Sequence, residues 1–213
     1  MTRGAHISLE GIDGCGKTTQ AYMLLTWLRS QGYRARYSAE PTYGRIGSLI
    51  RLHVYRTRNT PPEYEALLFA ADRVEHYEKF IRPFVARGWM MVSDRYLHSS
   101  LAYQGAMIRD VEWVREINRF ARPPDLAILI DVRVEKALQR IKRRKIKFEK
   151  RELLSKVQRE YKRLAECGEM ERVDGEGAVE EVAADVRAVV MKFLRRKRLL
   201  SRPLLESAGS IPL

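Results

Sequence analysis

The sequence has few cysteines and no long apolar run, and both absences exclude classes of protein. Two cysteines, Cys15 and Cys167, are too few for a disulfide framework, and the sequence contains no cluster of Cys and His with metal-ligand spacing. No run approaches the roughly 18 apolar residues of a membrane span, and the start lacks the apolar segment of a signal peptide. We therefore expect a cytoplasmic protein with no membrane partner, in which any metal is held by oxygen atoms.

Acidic residues are scarce in two segments, and this concentrates the positive charge of the chain. The formal net charge is +13. Residues 140–151 hold eight Lys or Arg and one acid, and residues 192–202 hold six Lys or Arg and no acid, so the rest of the chain is neutral. A protein that coats nucleic acid usually spreads its basic surface more widely. Each basic segment therefore needs its own explanation.

The segment from Gly11 to Thr18 matches the pattern G-x-x-x-x-G-K-[ST] without a mismatch. A short apolar run at 7–9 precedes it and a predicted helix at 19–31 follows it, which is the context that a phosphate-binding loop requires. Glycines let backbone N–H groups turn inward at the helix N-terminus and form an anion cradle. Lys17 can then reach the β- and γ-phosphates of a nucleotide, and Thr18 can offer its hydroxyl to Mg²⁺.

Strand-like and helix-like segments alternate about five times along the chain, which predicts an α/β fold. The nearly continuous apolar runs at 89–93 and 126–132 are typical of parallel strands buried on both faces. At 213 residues, a single domain is expected. We place it at 1–198, with a closing helix over 179–197 and a loosely ordered tail over 199–213.

A helix is predicted over 63–82, between the prolines Pro61 and Pro62 and a stop at Pro83. Its period predicts a core stripe of Tyr64, Leu67, Leu68, Ala71, Val74 and Ile81. Phe69 and Arg73 fall on the opposite side of this helix. Two interpretations stay open: a surface aromatic or helix contact, and a phenylalanine that stacks on a base beside an arginine that bonds the base edge or a phosphate.

Asp94 and Arg95 follow the predicted strand at 89–93 directly. Open α/β sheets bind their ligands at the carboxyl ends of the strands, so both residues are candidates for a site. A structural ion pair at the strand end is the alternative. Residues 98–105 continue as a polar-lined loop or short helix near the same edge.

The order of these motifs resembles the thymidylate kinase family, whose members phosphorylate dTMP with ATP. The motifs are E-G-x-D-G-x-G-K-T-T-Q at 10–20, E-P-T at 40–42, F-A-A-D-R at 69–73, D-R-Y at 94–96, S-S-x-A-Y-Q-G at 99–105 and a basic segment after L-I-D-V. The resemblance spans about residues 5–195. It implies a P-loop three-layer α/β/α fold with a five-stranded parallel sheet and a helical lid. It also implies a homodimer that transfers the γ-phosphoryl group of ATP to dTMP with Mg²⁺, giving dTDP and ADP in dTTP biosynthesis.

The resemblance implies roles for residues on the donor side. The ATP phosphates are held by Gly11, Asp13, Gly14, Cys15, Gly16, Lys17, Thr18 and Thr19. Lys17 and Arg95 are catalytic through their positive charge. Thr18 and Asp94 hold Mg²⁺, the latter through water.

The resemblance also implies an acceptor pocket for dTMP. Its residues are Asp13, Glu40, Pro41, Arg51, Phe69, Arg73, Arg95, Ser100, Tyr103 and Gln104. In this assignment Phe69 stacks on thymine, Arg73 bonds the edge of the base and Arg95 grips the acceptor phosphate. Asp13 contacts the 3′-hydroxyl, and Tyr103 crowds the 2′ position and favours deoxyribose.

The variable positions of the phosphate-binding loop, 12–15, hold no basic residue. Some members of the family place a cation there and others supply it from the lid, which here spans about 140–151. Arg140, Arg143, Arg144 and Lys147 are spaced to share one helical face. We therefore predict that one or two of Arg140, Arg143 and Arg144 reach the transferred phosphoryl group. A solvated basic helix is the alternative.

The resemblance leaves some questions open. The segment 192–202 is more simply a solvated helix end that suits the helix dipole than a hold on nucleic acid or an acidic membrane. The segment 37–39 lacks the arginine that many members carry, so selection of dTMP over dUMP stays open. The alternative functions are another nucleoside or deoxynucleoside monophosphate kinase and a P-loop protein that binds nucleic acid, of which the neutral remainder of the chain disfavours the second.

Overall fold

Five parallel strands form the centre of the part of the chain that the computed structural model describes, residues 4–56, 60–141 and 150–200. In chain order they are β1 (Ala5–Glu10), β2 (Ala35–Ala39), β3 (Met90–Asp94), β4 (Leu126–Asp131) and β5 (Glu171–Asp174). Their order in the sheet is β2-β3-β1-β4-β5, and each neighbouring pair is parallel. This confirms the predicted α/β fold with a five-stranded parallel sheet.

Helices cover both faces of this sheet. They are α1 (Lys17–Ser30), α2 (Arg45–Arg56), α3 (Pro62–His76), α4 (Arg82–Ala86), α5 (Leu97–Ile108), α6 (Val111–Ile117), α7 (Val134–Arg140), α8 (Arg151–Glu166) and α9 (Val179–Arg196). Helix α1 packs on β2 and β3 and contacts α9, whereas α5 packs against α3, α6 and α8. Every residue of β1, β3 and β4 is buried, as the continuous apolar runs predict. No helix in the described ranges is both long and apolar enough to cross a membrane.

The strand order places the site at one edge of the sheet. The central strand β1 pairs with β3 on one side and β4 on the other. Connections therefore leave β1 and β3 in opposite directions and open a crevice at their carboxyl ends. The loop after β1 and the residues after β3 meet at this crevice, where the Arg95 amide donates a hydrogen bond of 3.0 Å to the Leu9 carbonyl.

The predicted core stripe on the helix before Pro83 holds at Ile81, which is buried in the core, but is wrong for the residues of α3. Tyr64 and Leu67 are 41% and 51% exposed and Ala71 is exposed, while the buried side of α3 carries Asp72 and Arg73. The reason is that α3 turns its inner side to a polar pocket instead of to the apolar core. Tyr64, Leu67 and Ala71 therefore lie on the outer side of the helix.

Pro83 does not end the helical path, contrary to the sequence prediction. Residues Tyr77–Ile81 form a π-helical segment, and α4 continues through Pro83 to Ala86. The wider turn shifts the bonding pattern, so that the Arg82 amide donates to the Tyr77 carbonyl five residues earlier. A proline lacks the N–H that an ordinary helical turn uses, and a change of pattern at this point accommodates it.

The first two residues of the predicted tail contact the rest of the protein. Leu199 and Leu200 pack against the core, and the Leu199 carbonyl accepts a hydrogen bond of 2.9 Å from the Tyr33 hydroxyl. The remainder of the predicted tail, 201–213, lies outside the described residues.

Candidate active site

The phosphate-binding loop connects β1 to α1 and is shaped by glycine. Gly14 has a φ of +83°, and a Cβ there would lie 2.2 Å from the Ala137 carbonyl oxygen. Gly16 has a φ of +100° directly before α1. Lys17 is buried and folds back over the loop, where its Nζ donates to the Ile12 carbonyl at 2.9 Å. The loop thus presents its amide groups at a helix N-terminus with one cation beside them.

A cleft of about 730 Å³ lies above this loop. Residues 13–20 form one wall, which includes all predicted ATP-binding residues except Gly11. The Gly11 carbonyl instead accepts a hydrogen bond from Arg95 at 3.1 Å. Arg140 also lines the cleft, and its guanidinium donates to the carbonyls of Cys15 at 3.4 Å and Gly175 at 3.3 Å. Of the predicted lid arginines, Arg140 is therefore beside the loop, whereas Arg143 and Arg144 lie outside the described residues.

Sequence reasoning missed the segment between β5 and α9, which completes this cleft. Gly175, Gly177 and Val179 line it, and Gln20 donates from α1 to the Val179 carbonyl at 2.9 Å. Two glycines one residue apart at the end of a short strand were the available signal. They allow close approach, because a Cβ on Gly175 would meet side chains of β4 and the residue after it within 2.7 Å.

Thr18 and Asp94 lie together between the cleft and a second pocket. The Thr18 hydroxyl donates a hydrogen bond to the Asp94 carboxylate, and both residues line both cavities. A hydroxyl and a carboxylate are the oxygen donors that suit Mg²⁺. In the described ranges, no group of three or more His, Cys, Asp or Glu could hold a metal ion alone. The pair therefore fits a Mg²⁺ ion whose other ligands are oxygens of nucleotide phosphates.

Arg95 joins the loop to the second pocket. Its guanidinium donates to Asp13 at 2.7 Å and to the Ser99 hydroxyl at 3.0 Å, and it lies 4.9 Å from the centre of the Tyr103 ring. The backbone of Arg95 has a φ of +71°, a conformation that is uncommon for non-glycine residues. Burial raises the pKa of Asp13, but the charges of Arg95 and Lys17 outweigh it and lower the pKa to about 2. Asp13 is therefore ionised and paired at neutral pH.

A buried group of polar side chains supports Arg95 from behind. The Ser99 hydroxyl accepts from Arg95 and donates to Glu10 at 2.7 Å, and the Tyr161 hydroxyl lies 2.9 Å from it. Glu10 is fully buried, and burial raises its pKa to about 7, against the effect of the Ser99 hydrogen bond and the Arg95 charge. The sequence predicts no role for Ser99, although it lies in the motif at 99–105, or for Tyr161, which is 62 residues from Ser99 in the chain.

The second pocket has a volume of about 340 Å³ and adjoins the cleft. All ten residues predicted for the acceptor line it: Asp13, Glu40, Pro41, Arg51, Phe69, Arg73, Arg95, Ser100, Tyr103 and Gln104. They come from five separate stretches of the chain. The structure thus brings the predicted residues together, while their individual roles stay predictions.

Buried ionic contacts fix the wall of this pocket on the α3 side. Arg73 is 1% exposed and donates to one Glu40 oxygen from Nε at 3.0 Å and from Nη2 at 2.7 Å. His76 lies 3.0 Å from the other Glu40 oxygen. Arg51 donates to the carbonyls of Pro41, at 2.7 Å, and Thr42. Arg73 is therefore not a surface residue, and Phe69, which is partly buried, lines the same pocket.

Comparison with known proteins agrees with this geometry. The family model described as Thymidylate kinase matches residues 9–186, which is most of the chain. A protein of Pyrococcus horikoshii named "Probable thymidylate kinase" is 44% identical over 197 residues, covering 88% of this chain and 96% of that protein. Proteins of the same name from Pyrococcus abyssi and Thermococcus onnurineus are 46% and 44% identical, covering 88% and 90% of this chain and 96% and 99% of their own lengths. The chain belongs to the thymidylate kinase family.

Proposed function

We propose that this protein transfers the γ-phosphoryl group of ATP to dTMP, giving dTDP and ADP in the biosynthesis of dTTP. The observation that carries the proposal is the junction of the two cavities. Both are lined by Asp13, Thr18, Ala39, Glu40, Asp94 and Arg95. A donor phosphate on the loop and an acceptor phosphate beside Arg95 would therefore meet at one place.

The chemistry needs positioning more than acid–base catalysis. The nucleophile is an oxygen of the dTMP phosphate, which is already ionised at neutral pH, so a strong general base is unnecessary. The obstacle is the approach of two anions along one line. In the proposal Lys17 and the loop amides hold the donor phosphates, Arg95 holds the acceptor phosphate, and Arg140, Arg143 and Arg144 of a lid over 140–151 neutralise the transferred group.

The metal is part of the proposal. Thr18 and Asp94 would hold Mg²⁺ together with the ATP phosphates, Asp94 through water. When bound, the ion supplies positive charge at the phosphates. What supports this assignment is the pairing of hydroxyl and carboxylate where the two cavities meet.

The acceptor assignments follow the arrangement of the pocket. Phe69 would stack on the base, Arg73 would donate to its edge, and Ser100 and Gln104 would line it. Asp13 would contact the 3′-hydroxyl, and Tyr103 would crowd a 2′-hydroxyl. The Ser100 hydroxyl is buried without a hydrogen-bond partner in the described part of the chain, which suits a polar atom of a ligand.

A panel of acceptors tests the function. With ATP and Mg²⁺, we expect turnover of dTMP to exceed that of dCMP and dGMP by at least tenfold, with dUMP as the nearest competitor because uracil lacks only the methyl group. ADP release in a coupled assay measures each rate. Equal rates on dTMP and dGMP would support another nucleoside monophosphate kinase instead.

We also propose that the protein is a homodimer. Helices α2 and α3 lie side by side and expose Leu49, Leu52, Tyr64 and Leu67, each between 38% and 51% exposed. A group of large apolar side chains at a surface is typical of an interaction site. A two-fold dimer is the commonest way in which a chain buries such a face against its own copy.

We propose the cytoplasm as the place of action, where ATP and dTMP are available. Cys15 and Cys167 are free thiols, which a reducing compartment preserves. Fractionation of source cells should recover the protein with cytoplasmic enzymes after high-speed centrifugation, and recovery with membranes would contradict this.

A further inference from the structure

Most of the N–H donors of Arg73 are hydrogen-bonded to other residues of the protein. A guanidinium group has five N–H donors. Nε–H and one Nη2–H go to Glu40, the second Nη2–H goes to the Tyr96 carbonyl at 3.3 Å, and one Nη1–H goes to Asn118. Among the described residues, one N–H of Nη1 is left, and Arg73 lines the acceptor pocket.

Asn118 fixes the nitrogen that carries this remaining donor. Asn118 follows α6, is 2% exposed, and lies 45 residues from Arg73 in the chain. Its Oδ1 accepts from Arg73 Nη1, while its Nδ2 donates to the Val114 carbonyl at 2.8 Å. The second bond sets the orientation of the amide, because Nδ2 must face a carbonyl and Oδ1 must then face the guanidinium.

The opposite edge of the Arg73 guanidinium is also held by hydrogen bonds. Glu40 accepts from both Nε and Nη2, and His76 lies 3.0 Å from its other oxygen. Arg73 therefore cannot rotate to satisfy a ligand without breaking buried charge-assisted bonds. A group fixed on both edges can only offer its donor in one direction, which is the condition for rejecting a ligand that brings another donor.

We propose that Asn118 is a positioning residue for base specificity, which aims the free Nη1–H of Arg73 at a carbonyl oxygen on the edge of the acceptor base. This rests on the proposed role of Arg73 toward the base. Thymine and uracil carry an acceptor oxygen at the position where cytosine carries an amino donor. A fixed N–H at this edge bonds the first two bases and meets a second donor in cytosine.

Two variants separate this role from the support that Asn118 gives to α6. Asn118→Asp keeps an oxygen for Arg73 and loses the donor to Val114, whereas Asn118→Ala loses both. The readout is the ratio of kcat/KM for dTMP to that for dCMP, with calorimetric affinity for both nucleotides as a measure independent of turnover. We expect Asn118→Ala to lower the ratio about tenfold or more and Asn118→Asp to hold it within about threefold.

The Arg73→Lys background provides the matched control. A lysine ammonium rotates freely and has no fixed edge, so adding Asn118→Ala to Arg73→Lys should not change the ratio further. If Asn118→Ala does not fold, Asn118→Ser replaces it, because the serine side chain is too short for its oxygen to reach Arg73.

Each other outcome has one meaning. An unchanged ratio in Asn118→Ala, or an equal loss in the Asp and Ala variants, overturns the positioning role and leaves Asn118 as a helix-end residue. A change of the ratio in the Arg73→Lys background also overturns it. A wild-type enzyme that does not phosphorylate dTMP overturns the proposed function together with this inference.

Discussion

Among single residues, Asp13 and Arg95 form an ion pair and line both cavities. We predict that Asp13→Asn lowers kcat/KM for dTMP about 100-fold, because Arg95 loses the carboxylate that orients it while its own charge stays partly buried. Steady-state kinetics measure this loss. Asp185→Asn on the exposed side of α9 is the matched control and should leave kcat/KM unchanged. An equal kcat/KM for Asp13→Asn and the wild type would show that Asp13 has no role in the reaction.

Glu10 makes stability depend on pH in a way that can be isolated. Burial raises the pKa of Glu10 from 4.5 to about 7, so between these values the native state keeps a proton that the unfolded state has lost. The free energy of unfolding therefore falls as pH rises across this window. Buried His6 and His98 act in the opposite direction, because burial lowers their pKa values to about 3 and about 4 and the unfolded chain binds the extra protons below about pH 6.5.

Glu10→Gln removes the first effect and leaves the histidines. As pH rises from about 5 to about 7.5, we expect the free energy of unfolding of Glu10→Gln to increase by about 2 kcal/mol relative to that of the wild type. This figure follows from about 1.36 kcal/mol per unit of pKa shift. Denaturant unfolding at both pH values measures the difference, and exposed Glu166→Gln is the control. A difference between variant and wild type that does not change with pH would contradict the raised pKa.

The most predictable feature of the site was which residues line the acceptor pocket. The resemblance to the thymidylate kinase family implied an acceptor pocket of ten residues, and the structure brings all ten to one cavity. Tyr161 and Asn118 could not be found in this way. Tyr161 contacts Ser99, 62 residues away, and Asn118 contacts Arg73, 45 residues away, and a pattern of spacing does not show such contacts.

At the scale of elements, α7 brings the predicted lid cation to the phosphate-binding loop. The two bonds from Arg140 to carbonyls are long, at 3.4 and 3.3 Å, so a phosphate oxygen can replace them. We predict that Arg140→Ala lowers kcat about 100-fold with little change in the KM for dTMP, because the charge acts mainly in the transition state. Exposed Arg163→Ala is the control. Unchanged turnover in Arg140→Ala, Arg143→Ala and Arg144→Ala would show that the lid assignment is wrong.

Helix α3 shows why periodicity alone misplaces a helix. The apolar stripe was correctly located on the sequence but assigned to the core, whereas its exposed members face outward. Periodicity shows which side of a helix is apolar, but it does not show whether that side packs against the core or lies at the surface. In α3 the other side carries charges that are paired across the pocket, so burial of Arg73 and Asp72 is compensated by Glu40 and Thr42.

The outer side of α2 and α3 gives a prediction about assembly. Leu52→Glu with Leu67→Glu places two charges in the proposed dimer face, and we expect the mass in solution to halve, because unpaired charges are depleted from the centre of interfaces. Sedimentation velocity measures this. Phe120→Glu changes a 69% exposed aromatic on another surface and should leave the mass unchanged. A double variant that keeps the wild-type mass would place the dimer contact elsewhere.

For the whole molecule, the class of fold was predictable and the strand order was not. Alternating strand and helix patterns predict a parallel sheet, but they do not determine which strands are neighbours. The order β2-β3-β1-β4-β5 creates the crevice by placing β1 between β3 and β4. The placement of Arg140 and Gly175 beside the phosphate-binding loop follows from this order.

The basic segment at the end of α9 bears on whether the net charge of +13 gives the protein a second ligand. Arg195, Arg196 and Lys197 are exposed at the end of the helix, where cations suit its dipole. Truncation after Phe193 would be a poor test, because it also removes Leu194, which is fully buried, and Leu199, which bonds Tyr33. Changing the three exposed cations to glutamine removes charge without removing these contacts.

We predict that the wild type binds duplex DNA only weakly, and that this binding disappears by about 0.2 M salt, as expected for a few phosphate contacts. The triple glutamine variant should keep the dTMP kinase activity of the wild type, because these residues lie outside both cavities. Fluorescence anisotropy with labelled DNA at several salt concentrations measures the binding. Tight binding that survives 0.2 M salt and is lost in the variant would contradict the solvated helix end and assign nucleic acid to this surface.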